Sequence, residues 1–158
     1  IIIRKYFRYF IAEFLISWYY RSKKENRTHY RTCVCNVNYH MVWSVKYRRK
    51  ILNAEVEAYL QELVQEIAED KGFTVHLFEC GEGDHVHCFV SAPPKLSITA
   101  IMKYLKGISG RKLFERFPEI RNQLWKGELW NHSYYVETVG SVSEENIRRY
   151  IEHQSKAY

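Results

Sequence analysis

The segment that ends at Pro93 and Pro94 constrains the fold more than any other part of the chain. Two runs of strand-forming residues, FTVHLFEC and HVHCFVSA, flank the turn sequence GEGD, and the two prolines end the second run because proline cannot donate to a β ladder. The pattern therefore predicts a β-hairpin. In its second strand, alternation places Val86, Cys88 and Val90 on an apolar face and His85, His87 and Phe89 on the opposite face.

Patterns on either side of this hairpin complete the order of elements. A strand is predicted to begin at Asn38, and a helix to run from its Asn53 cap to Gly72. Ser97 caps a second helix, the run LWNHSYYVETVG is typical of another strand, and SEENIRRYIEHQ is typical of a last helix. The order strand, helix, strand, strand, helix, strand, helix predicts an α+β fold, a ferredoxin-like antiparallel sheet with helices on one face and an additional C-terminal helix.

The length of 158 residues allows one domain with its own core. We expect that domain over residues 32–158, preceded over residues 1–31 by an extension to which we assign no role. Charges at Arg4, Lys5 and Arg8 argue against a membrane span there, because a span needs about twenty apolar residues in a row. The four cysteines form no C-x-x-C pair, which fits a reducing cytoplasm better than a secreted disulfide framework.

The charge balance favours a polyanionic partner. The chain has 24 Lys and Arg against 18 Asp and Glu, and such an excess favours polyanions through phosphate contacts, although charge alone does not choose among them. Basic residues concentrate in and after the second predicted helix, although any single one of them could simply face solvent. The candidates for phosphate contact are Lys103, Lys106, Arg111, Lys112, Arg116 and Arg121, with Arg48 and Arg49 as secondary candidates.

A histidine pair on the hairpin and a tyrosine on the last helix are candidates for chemistry. Two imidazoles at i and i+2 on one face of a strand can share a cation, and imidazole suits Mn²⁺ or Zn²⁺ better than Mg²⁺. Taken alone, His85 with His87 is more often an ordinary solvent-facing pair. Tyr150 and Gln154 share one stripe of the last helix with two isoleucines, so they point the same way. The alternative is that Tyr150 is a core aromatic and that the Gln154 amide lies at the solvent-exposed edge of the stripe.

Three separated segments resemble one known family. The motif of histidine, hydrophobe and histidine in HVHCFV, the stretch KGELWNHSYYVETVG and the closing SEENIRRYIEHQ are together similar to the single-tyrosine HUH transposases of the insertion-sequence-200 type. The similarity runs from about Thr32 to Gln154, in the family's order, and leaves the amino-terminal extension outside.

The resemblance implies a DNA transposase in which Tyr150 attacks single-stranded DNA without ATP. The attack forms a 5′-phosphotyrosine bond, which a 3′-hydroxyl can later reverse. The resemblance also implies a divalent metal, Mg²⁺ or Mn²⁺, with His85 and His87 as ligands and Gln154 as the third. It further implies hairpin DNA at insertion-sequence ends as the substrate, and a homodimer whose tyrosine helices are exchanged between subunits.

Three alternatives share parts of this pattern. RNA-recognition modules bind single strands on a ferredoxin-like sheet without any chemistry, but nothing in this chain resembles their Lys/Arg-Gly-Phe-Gly-Phe type motif. A related HUH replication or conjugation enzyme would need a helicase domain or a different arrangement of tyrosines. A degenerate, inactive copy is the third alternative. The intact His85, His87, Tyr150 and Gln154 argue against decay, so we expect an active enzyme.

Overall fold

A computed structural model of the chain describes residues 28–29, 31–124, 127–140 and 144–154, with the side chains of residues 144, 145 and 154 outside the description. The chain divides into two compact units after Asn36. In the first, strands β1 (Thr28–His29) and β2 (Val34–Cys35) form an antiparallel pair. The domain boundary predicted after residue 31 stays a prediction, because residues 1–27 and 30 lie outside the described residues.

The second unit contains a four-stranded antiparallel sheet. In chain order its strands are β3 (Asn38–Ser44), β4 (Thr74–Gly81), β5 (His85–Ser91) and β6 (Tyr135–Val139). Their order across the sheet is β4-β5-β3-β6, and every neighbouring pair is antiparallel. This is the sheet of a split β-α-β fold, so the predicted α+β class and the predicted hairpin of β4 and β5 are confirmed.

Four α-helices accompany the sheet within the described residues, and the first two begin at side-chain caps. They are α1 (Ala54–Lys71), α2 (Ile98–Arg116), the short α3 (Glu119–Asn122) and α4 (Glu144–Gln154). The Asn53 side chain accepts hydrogen bonds from two backbone N–H groups of the first turn of α1, and the Ser97 hydroxyl accepts one from α2. Gly72 ends α1 in the left-handed conformation, with φ 74°.

The two faces of the sheet have different coverings. Helices α1 and α2 contribute to the main core on one face, where the buried side chains include Met41, Trp43, Val86, Cys88, Leu60 and Leu105. On the opposite face Phe89 and Val139 form a smaller cluster with Ile151 of α4. The helix α4 therefore lies on the face that holds the histidines of β5. None of the helices within the described ranges is long and apolar enough to span a membrane.

Candidate active site

The two predicted histidines lie on β5, which is an interior strand of the sheet. His85 and His87 point away from the main core, as the alternation predicts, and their ring centroids are 5.0 Å apart. Both side chains are buried, with only 9% and 5% of their surfaces exposed. They are therefore not the solvent-facing pair that the sequence left as an alternative.

The orientation of His85 is fixed by a carboxylate that the sequence analysis did not select. The Nδ1 atom of His85 lies 2.6 Å from Oδ1 of the buried Asp84, and Nε of Arg48 lies 3.0 Å from Oδ2 of the same residue. A proton on Nδ1 leaves Nε2 as the nitrogen that can bind a cation. Arg48, a predicted DNA contact, thus holds Asp84 in this structure, and it does so from a left-handed backbone with φ 54°.

The position of the His85 ring also requires a glycine, Gly81, on the neighbouring strand. Gly81 of β4 is paired with His85, and a Cβ atom built on Gly81 would lie 2.3 Å from Nε2 of that ring and 2.4 Å from Cε1. Carbon and nitrogen atoms in contact are separated by well over 3 Å, so only glycine leaves room for the ring and for anything that Nε2 binds.

A third histidine, which the sequence analysis missed, lies beside the pair. His40 on β3 is buried, and its Nε2 lies 3.1 Å from Nδ1 of His87. The two rings are stacked, with centroids 5.4 Å apart and planes inclined by 14°. Alternation in NYHMVWS places His40 on the sheet face opposite to that of Met41 and Trp43. Its position next to His87, however, depends on the register between β3 and β5.

Burial favours the neutral form of the His87 and His40 imidazoles. It lowers the pKa of His87 to about 4, and the nearby His85 and His40 lower that pKa further in the same direction. Burial also lowers the pKa of His40, while the carboxylate of Glu137 partly opposes the shift. His87 is therefore neutral near pH 7, as a metal ligand must be.

Tyr150, the predicted nucleophile, lies at the edge of this histidine cluster. Ile151 is fully buried against Phe89, whereas the preceding Tyr150 is 50% exposed. The ring centroid of Tyr150 lies 5.6 Å from that of His87 and 6.1 Å from that of His40, with the rings edge to face. Tyr150 is thus an accessible phenol beside the histidines and not a core aromatic.

A second exposed tyrosine lies on the same side of the sheet. Tyr135 on β6 is 55% exposed, and its ring centroid is 6.3 Å from that of His40. Its hydroxyl donates to Oε2 of Glu137 at 3.2 Å, and that carboxylate raises the pKa of Tyr135. Tyr135 is a less favourable nucleophile for that reason and provides a natural comparison for Tyr150.

The donor set fits a divalent cation only in part. His87, neutral near pH 7, and His85, held by Asp84, provide nitrogen ligands, and Gly81 leaves space beside one of them. Within the part of the chain that the structure describes, no group of three or more His, Cys, Asp or Glu could hold a metal ion. An amide oxygen or a substrate phosphate is a third ligand of another kind that such a pair could take. The side chain of Gln154, the predicted third ligand, lies outside the described residues.

The structure does not bring the basic candidates of α2 and α3 to the histidines. These residues belong to the helical layer that covers the other face of the sheet. Lys103, Arg111, Arg116 and Arg121 are exposed there, while Lys106 and Lys112 are half-buried. Arg49 is exposed in the segment that follows β3.

A groove of about 450 Å³ lies among these basic residues. It is lined by Lys106, Arg111 and Arg121 together with the rings of Phe114 and Trp130. The ammonium group of Lys106 donates to two backbone carbonyls before β6, at 2.6 and 2.9 Å, so it stabilises one wall of the groove. The guanidinium of Arg121 lies over the Phe114 ring, with a separation of 5.2 Å from its centroid.

Comparisons with known proteins decide the family. A family model described as "Transposase IS200 like" matches residues 33–154. The chain is 40% identical over 124 residues to the ISDra2 transposase TnpA of Deinococcus radiodurans, covering 78% of this chain and 88% of that protein. The chain belongs to the IS200-like transposase family. It is also 35% identical to the transposase of insertion sequence element IS200 from Salmonella typhimurium, over 75% of this chain and 77% of that protein.

Solved structures agree with this assignment of an IS200-like transposase. A crystal structure from Deinococcus radiodurans R1, described as that of a candidate transposase, matches with a TM-score of 0.66 and 36% identity over 80% of this chain and 97% of that one. A REP-associated tyrosine transposase bound to a REP hairpin shares the fold, with a TM-score of 0.54 and 12% identity over 80% of this chain and 70% of that one. The predicted family resemblance is therefore confirmed.

Proposed function

We propose that this IS200-like transposase cleaves and rejoins single-stranded DNA at insertion-sequence ends, with Tyr150 as its nucleophile. The observation that supports the proposal best is the position of an exposed phenol, 5.6 Å between ring centroids from His87, on the sheet face opposite the main core. Membership of a transposase family supports DNA as the substrate.

The proposed reaction transfers a DNA phosphate from a 3′ oxygen to Tyr150, and later from Tyr150 to another 3′ oxygen. The Tyr150 oxygen forms a bond to phosphorus, the bond from phosphorus to the 3′ oxygen of the neighbouring nucleotide breaks, and that oxygen gains the proton that the phenol loses. The products are a 5′-phosphotyrosine and a free 3′-hydroxyl. Because the bond energy stays in the linkage, another 3′-hydroxyl can reverse the step and join two strands without ATP.

The histidine cluster is proposed to hold a Mg²⁺ or Mn²⁺ ion. Its ligands in the protein would be His85, His87 and Gln154. When bound, such an ion supplies Lewis-acid polarisation of the scissile phosphate. Asp84 contributes by keeping the His85 ring in one orientation.

The two faces of the sheet suggest a division of DNA contacts. We assign the hairpin stem to the basic layer of α2 and α3 and the single-stranded segment to the histidine face. The stem contacts would come from Lys103, Lys106, Arg111, Lys112, Arg116 and Arg121, and the strand contacts from Arg48 and Arg49. The REP-associated transposase of the same fold, which was solved with a hairpin, supports hairpin DNA as the ligand class.

The proposed assembly is a homodimer with exchanged tyrosine helices. Helix α4 packs on the sheet with Ile147 and Ile151 against Leu77, Phe89 and Val139, and residues 140–143 connect it to β6. In a symmetric dimer the helix of one subunit can make these same contacts with the sheet of the other, since the contacting surfaces are identical.

A covalent adduct assay tests the proposed reaction. The full chain is incubated with labelled hairpin DNA carrying a single-stranded flank, with Mg²⁺ or Mn²⁺ or with a chelator. We expect a denaturation-resistant adduct that requires the metal and is lost in Tyr150→Phe. Tyr135→Phe is the matched control, because it removes the hydroxyl of a similarly exposed tyrosine on the same face and should leave the adduct intact.

Two outcomes would contradict the proposal. An adduct that persists in Tyr150→Phe would show another nucleophile, and an adduct lost in Tyr135→Phe alone would identify it. Tight DNA binding without any adduct would favour the non-catalytic single-strand-binding alternative.

A further inference from the structure

We propose that His40 is a positioning residue of the active site, which accepts a hydrogen bond from the Nδ1–H group of His87. The bond would hold His87 in the tautomer whose Nε2 has no proton and can bind a cation. The inference rests on the proposed function, because it assigns a partner to one of the two histidine ligands.

The direction of this hydrogen bond has a chemical consequence. Nε2 of His40 and Nδ1 of His87 are 3.1 Å apart in a buried setting, and one of these two nitrogens must carry the shared proton. If His87 donates, its Nε2 is an unprotonated ligand. If His40 donates, the single proton of neutral His87 lies on Nε2, where it prevents metal binding.

The surroundings of His40 favour His87 as the donor. Strand β3 lies between β5 and β6, so His87 and Glu137 flank His40 from opposite sides of its strand. The negative carboxylate of Glu137 favours the His40 tautomer whose proton lies on the side away from His87. The nitrogen that faces His87 is then an acceptor.

The arrangement parallels the one around the other histidine. The carboxylate of Asp84 holds Nδ1 of His85 at 2.6 Å, and Nε2 of His40 holds Nδ1 of His87 in the equivalent way. Both contacts leave the Nε2 atoms of the pair as the metal-binding nitrogens. Partners of this kind typically change metal affinity about 10- to 100-fold when they are removed.

The tautomer can be measured directly on the full chain without metal or DNA. With ¹⁵N-labelled histidine near neutral pH, long-range ¹H–¹⁵N spectra distinguish protonated from unprotonated ring nitrogens, and His87→Ala assigns the signals. We expect Nδ1 of His87 to be protonated in the wild type. A proton on Nε2 of His87 would overturn the proposal, whatever the behaviour of any variant.

Metal affinity provides a second measurement that does not depend on cleavage. Binding of Mn²⁺ alone, followed by electron paramagnetic resonance, should weaken about 10- to 100-fold in His40→Phe, which keeps a ring but removes the acceptor. His40→Gln, whose amide oxygen can accept from His87, should recover most of the affinity. Mn²⁺ binding by a folded His40→Phe chain equal to that of the wild type would contradict the positioning role.

The matched control is His76→Phe. His76 also lies on a strand of this sheet, with Nε2 2.6 Å from the Ser91 hydroxyl oxygen, and its ring contacts Phe89. Its replacement should leave Mn²⁺ affinity unchanged. Addition of Zn²⁺ to the labelled protein distinguishes a hydrogen-bond partner of His87 from a metal ligand. Direct coordination of Zn²⁺ by His40, seen as a shift of its Nε2 signal, would also overturn the proposal.

Failure of this inference is distinguishable from failure of the proposed function. An adduct that survives in Tyr150→Phe would remove the assigned nucleophile but leave the tautomer and Mn²⁺ measurements unaffected. Conversely, a wild-type His87 protonated at Nε2 would remove the role of His40 without affecting the adduct assay.

Discussion

Gly81 shows how closely one strand approaches the His85 ring on the next. An alanine at this position would place its Cβ only 2.3 Å from Nε2 of His85, although the Gly81 backbone itself is compatible with alanine. The ring would have to rotate away from Asp84 or the strands would have to separate. We expect Gly81→Ala to lose most of the Mn²⁺ affinity and about 1 to 3 kcal/mol of unfolding free energy, the usual cost of overpacking.

The measurements for this prediction are Mn²⁺ titration and urea unfolding of the same samples. Gly140→Ala is the control, because no described atom lies within 4 Å of the added Cβ, and it should change neither quantity appreciably. A Gly81→Ala protein with wild-type metal affinity would show that the His85 ring does not need its present position for binding.

At the scale of single residues, the sequence predicted the placements that depend on local pattern, while the roles assigned to those residues stay predictions. His85 and His87 share a face because of strand alternation, and Tyr150 shares the sheet-facing side of its helix with Ile147 and Ile151 because of helical spacing. Gly81 and His40 could not be found in this way. Their importance depends on which strands pair and in which register, and that is decided by contacts between residues far apart in the chain.

At the scale of elements, helices α2 and α3 provide the test of DNA binding. The exposed guanidinium groups of Arg111 and Arg121 border the groove on the layer opposite the histidines. We expect the double variant Arg111→Gln, Arg121→Gln to bind hairpin DNA more weakly. The slope of log affinity against log salt concentration should become less steep by about 2, because each lost arginine–phosphate contact reduces it by about one unit. Adduct formation at saturating DNA should continue at the wild-type rate, because the histidines lie on the other face.

A salt titration by fluorescence anisotropy measures that slope. The double variant Lys71→Gln, Lys95→Gln removes the same charge from the end of α1 and from the segment after β5, so it controls for net charge alone. Equal slopes for the two double variants would mean that the groove has no specific role in phosphate binding.

Elements with strong local signals were predicted well from the sequence. The caps at Asn53 and Ser97 begin α1 and α2, and the left-handed Gly72 ends α1, as the pattern indicates. The strand predicted in LWNHSYYVETVG is shorter than that run, because only Tyr135–Val139 pairs with β3 while Trp130 makes an isolated bridge to Val45. The indole of Trp130 instead donates to the Ser109 hydroxyl of α2, a tertiary contact that no local pattern predicts.

At the scale of the whole molecule, the sheet separates two kinds of surface. One face is covered by α1 and α2 with their basic exterior, and the other contains the histidines and α4. Within the described chain, Tyr150 contacts the histidines from helix α4, which packs on the sheet through Ile147 and Ile151. Such packing is compatible with exchange, because the partner's helix can form the same contacts with an identical sheet.

Mixed dimers test whether that exchange occurs. Neither Tyr150→Phe chains nor His87→Ala chains have a complete site. If helices are exchanged, a heterodimer unites the intact histidines of the Tyr150→Phe subunit with the intact tyrosine of the His87→Ala subunit. We therefore expect that refolding the two variant chains together restores adduct formation at one of the two sites of each heterodimer. The DNA should be attached only to the His87→Ala chain, which a size tag identifies in a denaturing gel. Heterodimers that are captured through the tag but remain inactive would show instead that each tyrosine serves the histidines of its own chain.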